Sequence, residues 1–544
     1  MLRGVYRLNQ KSFVKGAVIL GVAALISKTM GGIYRIPYQN IVGNEGLALY
    51  NLVYPMYTTL LVVSTAGFPI AVSKFVSERL AIGDIRGAER VFRISFFLMM
   101  ITGLLSFSLL FYGAETLANL TGDPGAALSI KSVSLALLLV PIIAVIRGYF
   151  QGWQEMMPTA VSQVFEQLIR VITIIVLAYM LIQVSVEYAA AGAVFGAFTG
   201  AVLSVLILGY YYIRHRKVVT YHLQRQTKSF AQEPFGELLR KLTYYALPIC
   251  FGTLVLPLFN LADSYTVINV LQNSGMESLD ARYMFGVYSK ALPLVQISAL
   301  FATSLSLALI PSISEAKSLQ QEHIIKRRTS FALRLTVIVG LPAAFGLAVL
   351  AKPLNLALFN EVIGSDVIMV LSFATIFSTL EITSSGILQG IGESKLPAKN
   401  LFVGFIFKVA LNLLLISYIG IMGAAIATIV AYFIALYLNL RDLRIHAKTE
   451  YRWMELAVKP LTAALIMTFF VAAVVYGMTP WMESYFSLRI AHLIVSVIGI
   501  LVGLIAYGIA IIVTKTLSFE EIETVPKIGP AILRLTSRLP FLKR

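Results

Sequence analysis

The sequence predicts an all-α integral membrane protein with fourteen transmembrane helices, arranged as two six-helix lobes and two further helices. Composition, recurring apolar segments and an internal repeat predict this fold. Hydrophobic residues make up 58% of the 544 residues and charged residues only 13%, whereas soluble domains average roughly 25% charged residues. Apolar stretches close to the ~20 residues that cross a bilayer recur along the chain. They leave no room for a sizeable soluble domain.

The fourteen predicted spans lie between charged or Gly/Pro-rich breaks. Their positions are 13–35, 48–73, 92–113, 129–149, 159–182, 189–212, 243–270, 284–310, 331–350, 367–389, 399–419, 422–440, 458–478 and 490–513. Basic residues, including Arg147, collect in alternate connections, and the opposite side has only Lys131, Arg282, Lys352 and Arg489. The positive-inside rule therefore predicts that both termini are cytoplasmic. The same distribution argues against nucleic-acid binding, which needs a soluble basic face.

An eight-residue pattern, G-x-x-Q-G-x-x-E, occurs twice with an offset of 238 residues. The two copies are Gly148, Gln151, Gly152 and Glu155, and Gly386, Gln389, Gly390 and Glu393. The same offset relates Tyr50 to Tyr288 and Arg170 to Lys408. Such a repeat in a hydrophobic chain is typical of a transporter with two similar halves around a central site. We interpret the motif as a hinge or loop element at cytoplasmic helix ends, and not as a substrate contact.

The predicted organisation follows from the repeat and the spans. Each half has an even number of spans, so the halves should be related by a pseudo-twofold axis along the membrane normal. The predicted segments are an N-lobe at 1–213, a cytoplasmic linker at 214–242, a C-lobe at 243–440, two further helices at 441–514 and a cytoplasmic tail at 515–544. We assign no function to the tail.

Eight charged residues fall inside predicted spans, where facing lipid would cost roughly 2.5–3.5 kcal/mol each. They are Lys28, Arg35, Glu166, Arg170, Asp263, Lys290, Glu381 and Lys408. Glu166 and Arg170 are four residues apart and are expected to pair on one helical face. Asp263 and Glu381 are candidates for an ion or proton coupling site, or for internal salt bridges. The same two interpretations apply to Glu166, Arg170 and Lys408.

Three cations, Lys28, Arg35 and Lys290, have no carboxylate at helical spacing within their own spans. Lys28 and Arg35 are seven residues apart and are predicted to share one face of the first span. Because the first and eighth spans belong to different lobes, the three cations can converge only between the lobes. They predict a cationic, water-filled cavity suited to phosphate or carboxylate. The alternative is that the long side chains snorkel to the nearest interface.

Motifs for catalysis are not evident in the sequence. The five histidines lack metal-ligand spacing, and neither a G-x-S-x-G motif nor a Walker A phosphate loop is present. We therefore expect a transporter, not an enzyme, without a metal or cofactor.

The basic first span with Lys28 and Arg35, the second-span run from Tyr50 to Glu78, and two six-helix lobes with two extra helices resemble the MurJ-type lipid II flippases. These proteins belong to the multidrug/oligosaccharidyl-lipid/polysaccharide (MOP) exporter superfamily, and the likeness is greatest to YtgP- and SpoVB-type members. It extends over essentially the whole chain. It implies alternating-access transport of the undecaprenyl-diphosphate-linked peptidoglycan precursor from the inner to the outer leaflet of a bacterial cell membrane.

The resemblance also implies that Lys28, Arg35 and Lys290 bind the diphosphate. The family's eighth-span residue is usually arginine, so Lys290 keeps the charge and loses the bidentate fork. Some members have an acidic residue early in the second span, where this chain has Tyr50 or Asn51. Further implications are coupling to the membrane potential or a cation, a lipid-tail groove at the last two helices, contact with membrane lipids, and a monomer associated with cell-wall synthesis enzymes.

Three alternatives remain open from the residues. One is export of another polyprenyl-linked oligosaccharide. A MATE-like cation/drug antiporter would show unpaired carboxylates in the first lobe, whereas cations dominate there. A membrane glycosyltransferase would need an acidic catalytic loop.

Overall fold

Helices form the regular structure of the chain, and no β-strand occurs among the residues that the structure describes. The computed structural model describes residues 10–65, 67–226, 230–231, 233–449 and 451–516; the basic N-terminal residues before Gln10 and the predicted tail beyond Thr516 lie outside them. Within these ranges the α-helices are α1 Gln10–Ile33, α2 Arg35–Thr65, α3 Phe68–Ala81, α4 Ile85–Leu120, α5 Ala127–Ser134, α6 Ala136–Gly152, α7 Met157–Leu181, α8 Val186–Arg225, α9 Phe235–Asn273, α10 Ser278–Ser318, α11 Glu322–Val349, α12 Ala351–Phe359, α13 Ser365–Leu371, α14 Ala374–Gly390, α15 Lys395–Ile419, α16 Ile421–His446, α17 Lys459–Tyr485 and α18 Leu488–Val513.

Thirteen segments of the described chain are long and apolar enough to cross a membrane. The protein is therefore a multi-pass membrane protein. The first segment, Val18–Ala81, has 64 residues and covers α1, α2 and α3. About 20 residues are enough for one crossing, so this segment is far longer than a single crossing requires.

The chain divides into two compact units. The first unit consists of Met1–Lys290 and Val409–Ile421, and the second of Ala291–Lys408 and Met422–Arg544. Helix α9 and the beginning of α10 thus belong to the first unit. The segment predicted as a linker, 214–242, is largely helical, because α8 continues to Arg225 and α9 begins at Phe235.

Apolar side chains from α3, α4, α6, α8 and α9 form a core within the first unit. Its buried residues include Val72, Val91, Ile143, Leu208 and Leu242. In the second unit, α10, α11, α14 and α16 contribute to one core and α11, α17 and α18 contribute to another. Each unit therefore buries part of its apolar side chains in a packed core of its own.

The first predicted span is not one continuous helix. Helix α1 ends one residue before Tyr34, and α2 begins at Arg35. Two glycines precede the break and lower helix propensity there, and Pro37 lies in the first turn of α2, where its missing N–H costs no hydrogen bond. Lys28 and Arg35 consequently belong to different helical segments. The backbone N–H of Tyr34 still donates to the carbonyl oxygen of Met30, and that of Tyr38 to Tyr34, so a shared face for the two cations stays a prediction.

The two copies of the repeated motif end α6 and α14 in the same way. In each copy the backbone N–H of the motif's glutamate, Glu155 or Glu393, donates to the carbonyl oxygen five residues earlier, at 2.9 Å. The preceding residue has a left-handed backbone, with φ of 62° at Gln154 and 93° at Gly392. This combination is a Schellman C-cap, which satisfies carbonyl groups at a helix end.

The glycines of the motif allow a close helix crossing in each unit. A Cβ atom added at Gly148 would lie 2.7 Å from the carbonyl oxygen of Pro69, and one added at Gly386 would lie 2.7 Å from the Cβ of Ser306. The contacted residues are themselves separated by almost the repeat offset. The duplicated motif therefore encodes one helix end and one helix crossing twice, and its role as a hinge stays a prediction.

A polar contact joins the segment before α9 to α3. Glu233 accepts from Arg79 Nη2 at 2.5 Å and from Lys241 Nζ at 3.2 Å. Burial raises the pKa of the Glu233 carboxyl, but hydrogen bonds from these two basic groups outweigh burial and lower the pKa below its ordinary value of 4.5. The carboxylate is thus held in its charged form between two cations.

Candidate functional site

A cluster of tyrosines lies in the first unit, on α2 and at the residue before it. Tyr50 and Tyr54 are one helical turn apart and stack with their ring centroids 5.4 Å apart and an interplanar angle of 15°. Tyr57 extends the row, with its ring 5.8 Å from that of Tyr54. The Tyr34 hydroxyl donates to the Tyr50 hydroxyl at 2.7 Å. Tyr34, Tyr50 and Tyr57 are buried, and Tyr54 is half-buried.

Two arginines lie near this row of tyrosines. Arg35 lies near Tyr34, Tyr50 and Tyr54, and Arg170 of α7 lies near Tyr50, Tyr54 and Tyr57. Each guanidinium has a buried Nε without a hydrogen-bond partner among the described residues. An unpaired buried donor is costly. Each of the two arginines therefore keeps one N–H that the described residues do not satisfy.

Glu166 of α7 is shared by two arginines. Arg170 Nη2 donates to Glu166 Oε1 at 3.1 Å, which confirms the predicted pairing. Arg147 Nη2 donates to Glu166 Oε2 at 2.9 Å. Arg147 also donates to the hydroxyls of Ser162 at 3.0 Å and Ser204 at 3.1 Å. The sequence counts Arg147 among loop charges, but it lies within α6 and anchors this buried network.

These groups together constitute one site with more cations than anions. We call it the arginine–tyrosine site; its residues are Tyr34, Arg35, Tyr50, Tyr54, Tyr57, Arg147, Glu166 and Arg170. Three guanidinium groups and one carboxylate leave a surplus of positive charge. In a low-dielectric setting such a surplus favours an anionic ligand that accepts charge-assisted hydrogen bonds.

The other predicted cations have different environments. Lys28 is exposed on α1, whereas Lys290 of α10 is completely buried and Lys408 of α15 is 1% exposed. Both buried lysines have interaction partners. The structure groups Arg35 with Arg170, and contact of Lys28 or Lys290 with a substrate stays a prediction.

Asp263 of α9 lies in a buried polar cluster of the first unit. Its two carboxylate oxygens accept from Tyr288 Oη and from Asn412 Nδ2, both at 3.0 Å. Asn412 Nδ2 also donates to Thr266 Oγ1 at 2.8 Å. The amide oxygen of Asn412 is buried and has no hydrogen-bond partner among the described residues. A carboxylate, an amide oxygen and a hydroxyl are oxygen ligands suited to a hard cation.

Glu381 of α14 lies in a second buried network, in the second unit. It accepts from Ser385 Oγ at 2.7 Å, and Asn439 Nδ2 donates to the same hydroxyl at 3.0 Å. Asn400 Nδ2 donates to Asn439 Oδ1 at 2.9 Å and also to Asp442 Oδ2 at 2.8 Å. Within the described part of the chain Glu381 has no basic partner, so its neighbours there are neutral hydrogen-bond donors and not an ion pair.

A third charged group lies at the start of α10. Arg282 is 7% exposed and binds Asp123 with both branches of its fork, at 2.5 and 2.6 Å. It also donates to Glu187 Oε1 at 2.8 Å. The sequence shows Arg282 only as one of few basic residues on its side of the membrane. Its partners are 159 and 95 residues away in the chain, so no local pattern reveals the cluster.

The carboxylates and histidines of the described residues do not assemble into a larger ligand set. No group of three or more His, Cys, Asp or Glu side chains that could hold a metal ion occurs among these residues.

Comparisons of the sequence identify relatives over most of the chain. A family profile described as polysaccharide biosynthesis protein matches residues 13–317, more than half of the chain, and one described as MatE matches residues 248–414. The chain is 33% identical to the uncharacterized membrane protein YabM of Bacillus subtilis (strain 168), over 79% of this chain and 80% of that protein. It is 30% identical to the lipid II flippase MurJ of the same strain, over 87% and 89% respectively. It is 25% identical to that strain's stage V sporulation protein B, over 97% and 100%.

Solved structures share the fold. An inward-facing multidrug resistance MATE family transporter of the MOP superfamily aligns with a TM-score of 0.61 and 16% identity, over 80% of this chain and 100% of that chain. The lipid II flippase MurJ in an inward closed conformation aligns with a TM-score of 0.58 and 16% identity, over 91% and 99%. At such identities these structures show the fold alone. With the family match and the 30–33% identical relatives, they establish that this chain belongs to the polysaccharide biosynthesis protein family and is a transporter of the MOP superfamily, not an enzyme.

Proposed function

We propose that this protein is a flippase that moves a lipid-linked oligosaccharide with a diphosphate group across a bacterial cell membrane, with lipid II as the first candidate substrate. The arginine–tyrosine site carries this proposal, because its buried guanidinium groups outnumber its carboxylate and two of them have an unpaired Nε. A diphosphate offers several anionic oxygens to such forks. The relative named lipid II flippase MurJ supports the choice of substrate.

Within the site, Arg35 and Arg170 would contact the diphosphate. Arg147 has a different role, because its donors already bind Ser162, Ser204 and Glu166. It holds Glu166, and Glu166 in turn positions Arg170. Half-buried Tyr54 lies next to both ligand-binding arginines, where its ring limits access of water to the bound anion.

Transport of such a substrate requires a protected path for its polar headgroup, because moving that group through hydrocarbon unaided is very costly. We propose alternating access by two similar six-helix lobes, with Lys28 and Lys290 adding positive charge along the path. The proposed topology has fourteen crossings, since residues 18–81 are long enough for two, and both termini in the cytoplasm.

For energy coupling we propose the membrane potential or a cation. The Asp263 cluster supports cation coupling, because the carboxylate, the Thr266 hydroxyl and the unpaired amide oxygen of Asn412 offer oxygen ligands. Glu381 is the second candidate, as a proton site surrounded by neutral donors.

A MATE-like cation/drug antiporter is the second candidate function, favoured by the MatE match at residues 248–414. The charge of the arginine–tyrosine site argues against it. An organic cation would meet Glu166 only where two arginines already neutralise that carboxylate. A drug-efflux assay with an organic cation discriminates between the two functions.

Complementation of a bacterial strain depleted of its lipid II flippase tests the proposed function. We expect the wild-type protein to restore growth and the variants Arg35→Ala and Arg170→Ala to fail at equal membrane abundance. Arg452→Ala is the control, because that side chain is 83% exposed. Growth with both site variants would contradict the assignment of the site. Failure of the wild-type protein combined with retained diphosphate-lipid binding would favour another lipid-linked oligosaccharide.

A further inference from the structure

A groove of about 740 Å³ lies within the second unit, between α11, α14, α16 and the beginning of α17. Its walls are mainly apolar over most of their length. They include Leu333 and Leu341 on α11, Phe377 on α14, Phe433 on α16 and Leu461 on α17. The volume falls within the roughly 300–1,000 Å³ typical of ligand pockets.

One end of the groove is cationic and aromatic. Arg441 and Arg444 project from the last turns of α16, and Tyr451 and Trp453 follow in the segment before α17. The Tyr451 hydroxyl donates to the carbonyl oxygen of Leu440 at 2.7 Å, which fixes that segment against the end of α16. Tryptophan and tyrosine are enriched where a membrane protein meets the headgroup region.

Arg441 and Arg444 differ in their contacts with carboxylates. Arg441 Nη2 lies 3.1 Å from Asp442 Oδ1, and its side chain is 55% exposed. Asp442 is also bound by Asn400, within the buried network of Glu381. Arg444 has no carboxylate partner in the described part of the chain. The groove therefore ends in positive charge that its own lining does not neutralise.

We propose that this groove binds an anionic phospholipid, with the phosphate at Arg441 and Arg444 and an acyl chain along the apolar walls. The combination of an apolar channel and a cationic end matches the two parts of such a lipid. A zwitterionic lipid would bring a positive headgroup to the same arginines and lose part of this complementarity. The site lies within the second unit and does not depend on the proposed transport substrate.

Trp453 provides a reporter inside the groove. The chain has three tryptophans, so the double substitution Trp153→Phe and Trp481→Phe leaves Trp453 as the only one. The full-length protein would be placed in nanodiscs that contain phosphatidylglycerol or phosphatidylcholine with brominated acyl chains, and quenching of Trp453 fluorescence would be measured against lipid fraction. Trp453 is exposed, so lipid outside the groove also quenches it. The comparison between the two lipids, and not the quenching by either one alone, therefore reports the preference of the groove.

We expect phosphatidylglycerol to quench at a lower lipid fraction than phosphatidylcholine. Arg444→Ala should reduce this preference by on the order of fivefold. Arg444 is the better test position, because loss of Arg441 would also remove a partner of Asp442. Ala457→Phe, which fills the groove and keeps both arginines, should weaken quenching by both lipids.

Arg452→Ala is the matched control, because Arg452 neighbours Trp453 in sequence but does not line the groove, and it should leave the preference unchanged. Equal quenching by the two lipids in the starting protein would overturn the proposal. An equal loss of preference in Arg452→Ala and Arg444→Ala would also overturn it, because diffuse surface charge would then explain the effect. Displacement of phosphatidylglycerol by equimolar polyprenyl phosphate would assign the groove to a different lipid and likewise reject it.

Discussion

Substitution of Arg170 and Arg147 by alanine should separate ligand binding from support of the site. Arg170 contributes one hydrogen bond to Glu166 and keeps an unpaired Nε, whereas Arg147 donates to Glu166 and to two serine hydroxyls. We therefore expect Arg170→Ala to reduce affinity for a diphosphate lipid and Arg147→Ala to reduce stability.

The magnitudes follow from these contacts. A hydrogen bond to a charged group contributes about 1.5–3 kcal/mol, so loss of one Arg170 contact with a diphosphate should weaken binding roughly 10- to 150-fold. Arg170→Ala leaves Glu166 paired with Arg147, which limits the loss of stability. Arg147→Ala likewise leaves Glu166 paired with Arg170. It also removes two hydrogen bonds from the guanidinium to serine hydroxyls, each contributing about 1.5–3 kcal/mol, so its loss of stability should be the larger of the two.

The assay is titration of the purified protein with farnesyl diphosphate, a short probe that carries the diphosphate, with neutral farnesol as the control ligand. Thermal unfolding in the same detergent reports stability. Arg170→Lys should recover only part of the affinity, because lysine keeps the charge and loses the planar fork. Binding of farnesyl diphosphate by Arg170→Ala with wild-type affinity would refute the role of this residue, as would an equally large loss in a stably folded Arg147→Ala variant.

Three further outcomes are expected. The pKa of Glu233 is lowered on folding, so the contribution of this carboxylate to stability is present above about pH 4.5 and is lost as the pH falls further. The difference in melting temperature between wild type and Glu233→Gln should therefore be larger at pH 7 than near pH 3. A difference that does not change with pH would contradict this role of Glu233. Gly148→Ala and Gly386→Ala should each destabilise the protein by about 1–3 kcal/mol, because the added methyl group meets the backbone of Pro69 in the first case and the Cβ and Cα atoms of Ser306 in the second. A melting temperature equal to that of the wild type in either variant would argue against this packing. Arg282→Ala should lower the free energy of unfolding by about 3–5 kcal/mol, because it leaves buried Asp123 without its bidentate partner. Arg282→Lys should lower it less in the same measurement. Unchanged stability of Arg282→Ala would reject the pair as a stabilising contact.

The sequence predicts the features that repeat or depend on local spacing. Apolar length predicts the membrane-crossing helices, and the duplicated motif predicts equivalent places in the two halves, where the structure shows equivalent C-caps at Glu155 and Glu393. The spacing of Glu166 and Arg170 predicts their ion pair. Each of these depends on residues within a few positions of one another or on one constant offset.

Other features depend on contacts between distant residues. Arg147 reaches Ser204, 57 residues away, and nothing in its local sequence distinguishes it from a loop cation. Tyr50, Tyr54 and Tyr57 occur at helical spacing, which is also typical of a packed core. They are separated from Arg35 by a kink inside α2 at Gly43, where the backbone leaves the helical region (φ 70°, ψ −170°), so helical spacing alone does not relate them to that arginine.

Translocation in liposomes tests the central claim most directly. The purified protein would be reconstituted with a fluorescent polyprenyl-diphosphate oligosaccharide, and movement between leaflets would be followed by quenching with a membrane-impermeant reductant. We predict that the wild-type protein moves the lipid and that Arg35→Ala and Arg170→Ala each lower the initial rate at least about tenfold, with Arg452→Ala unchanged. Wild-type rates in both site variants, at equal protein reconstitution, would contradict the assignment of the arginine–tyrosine site to substrate transport.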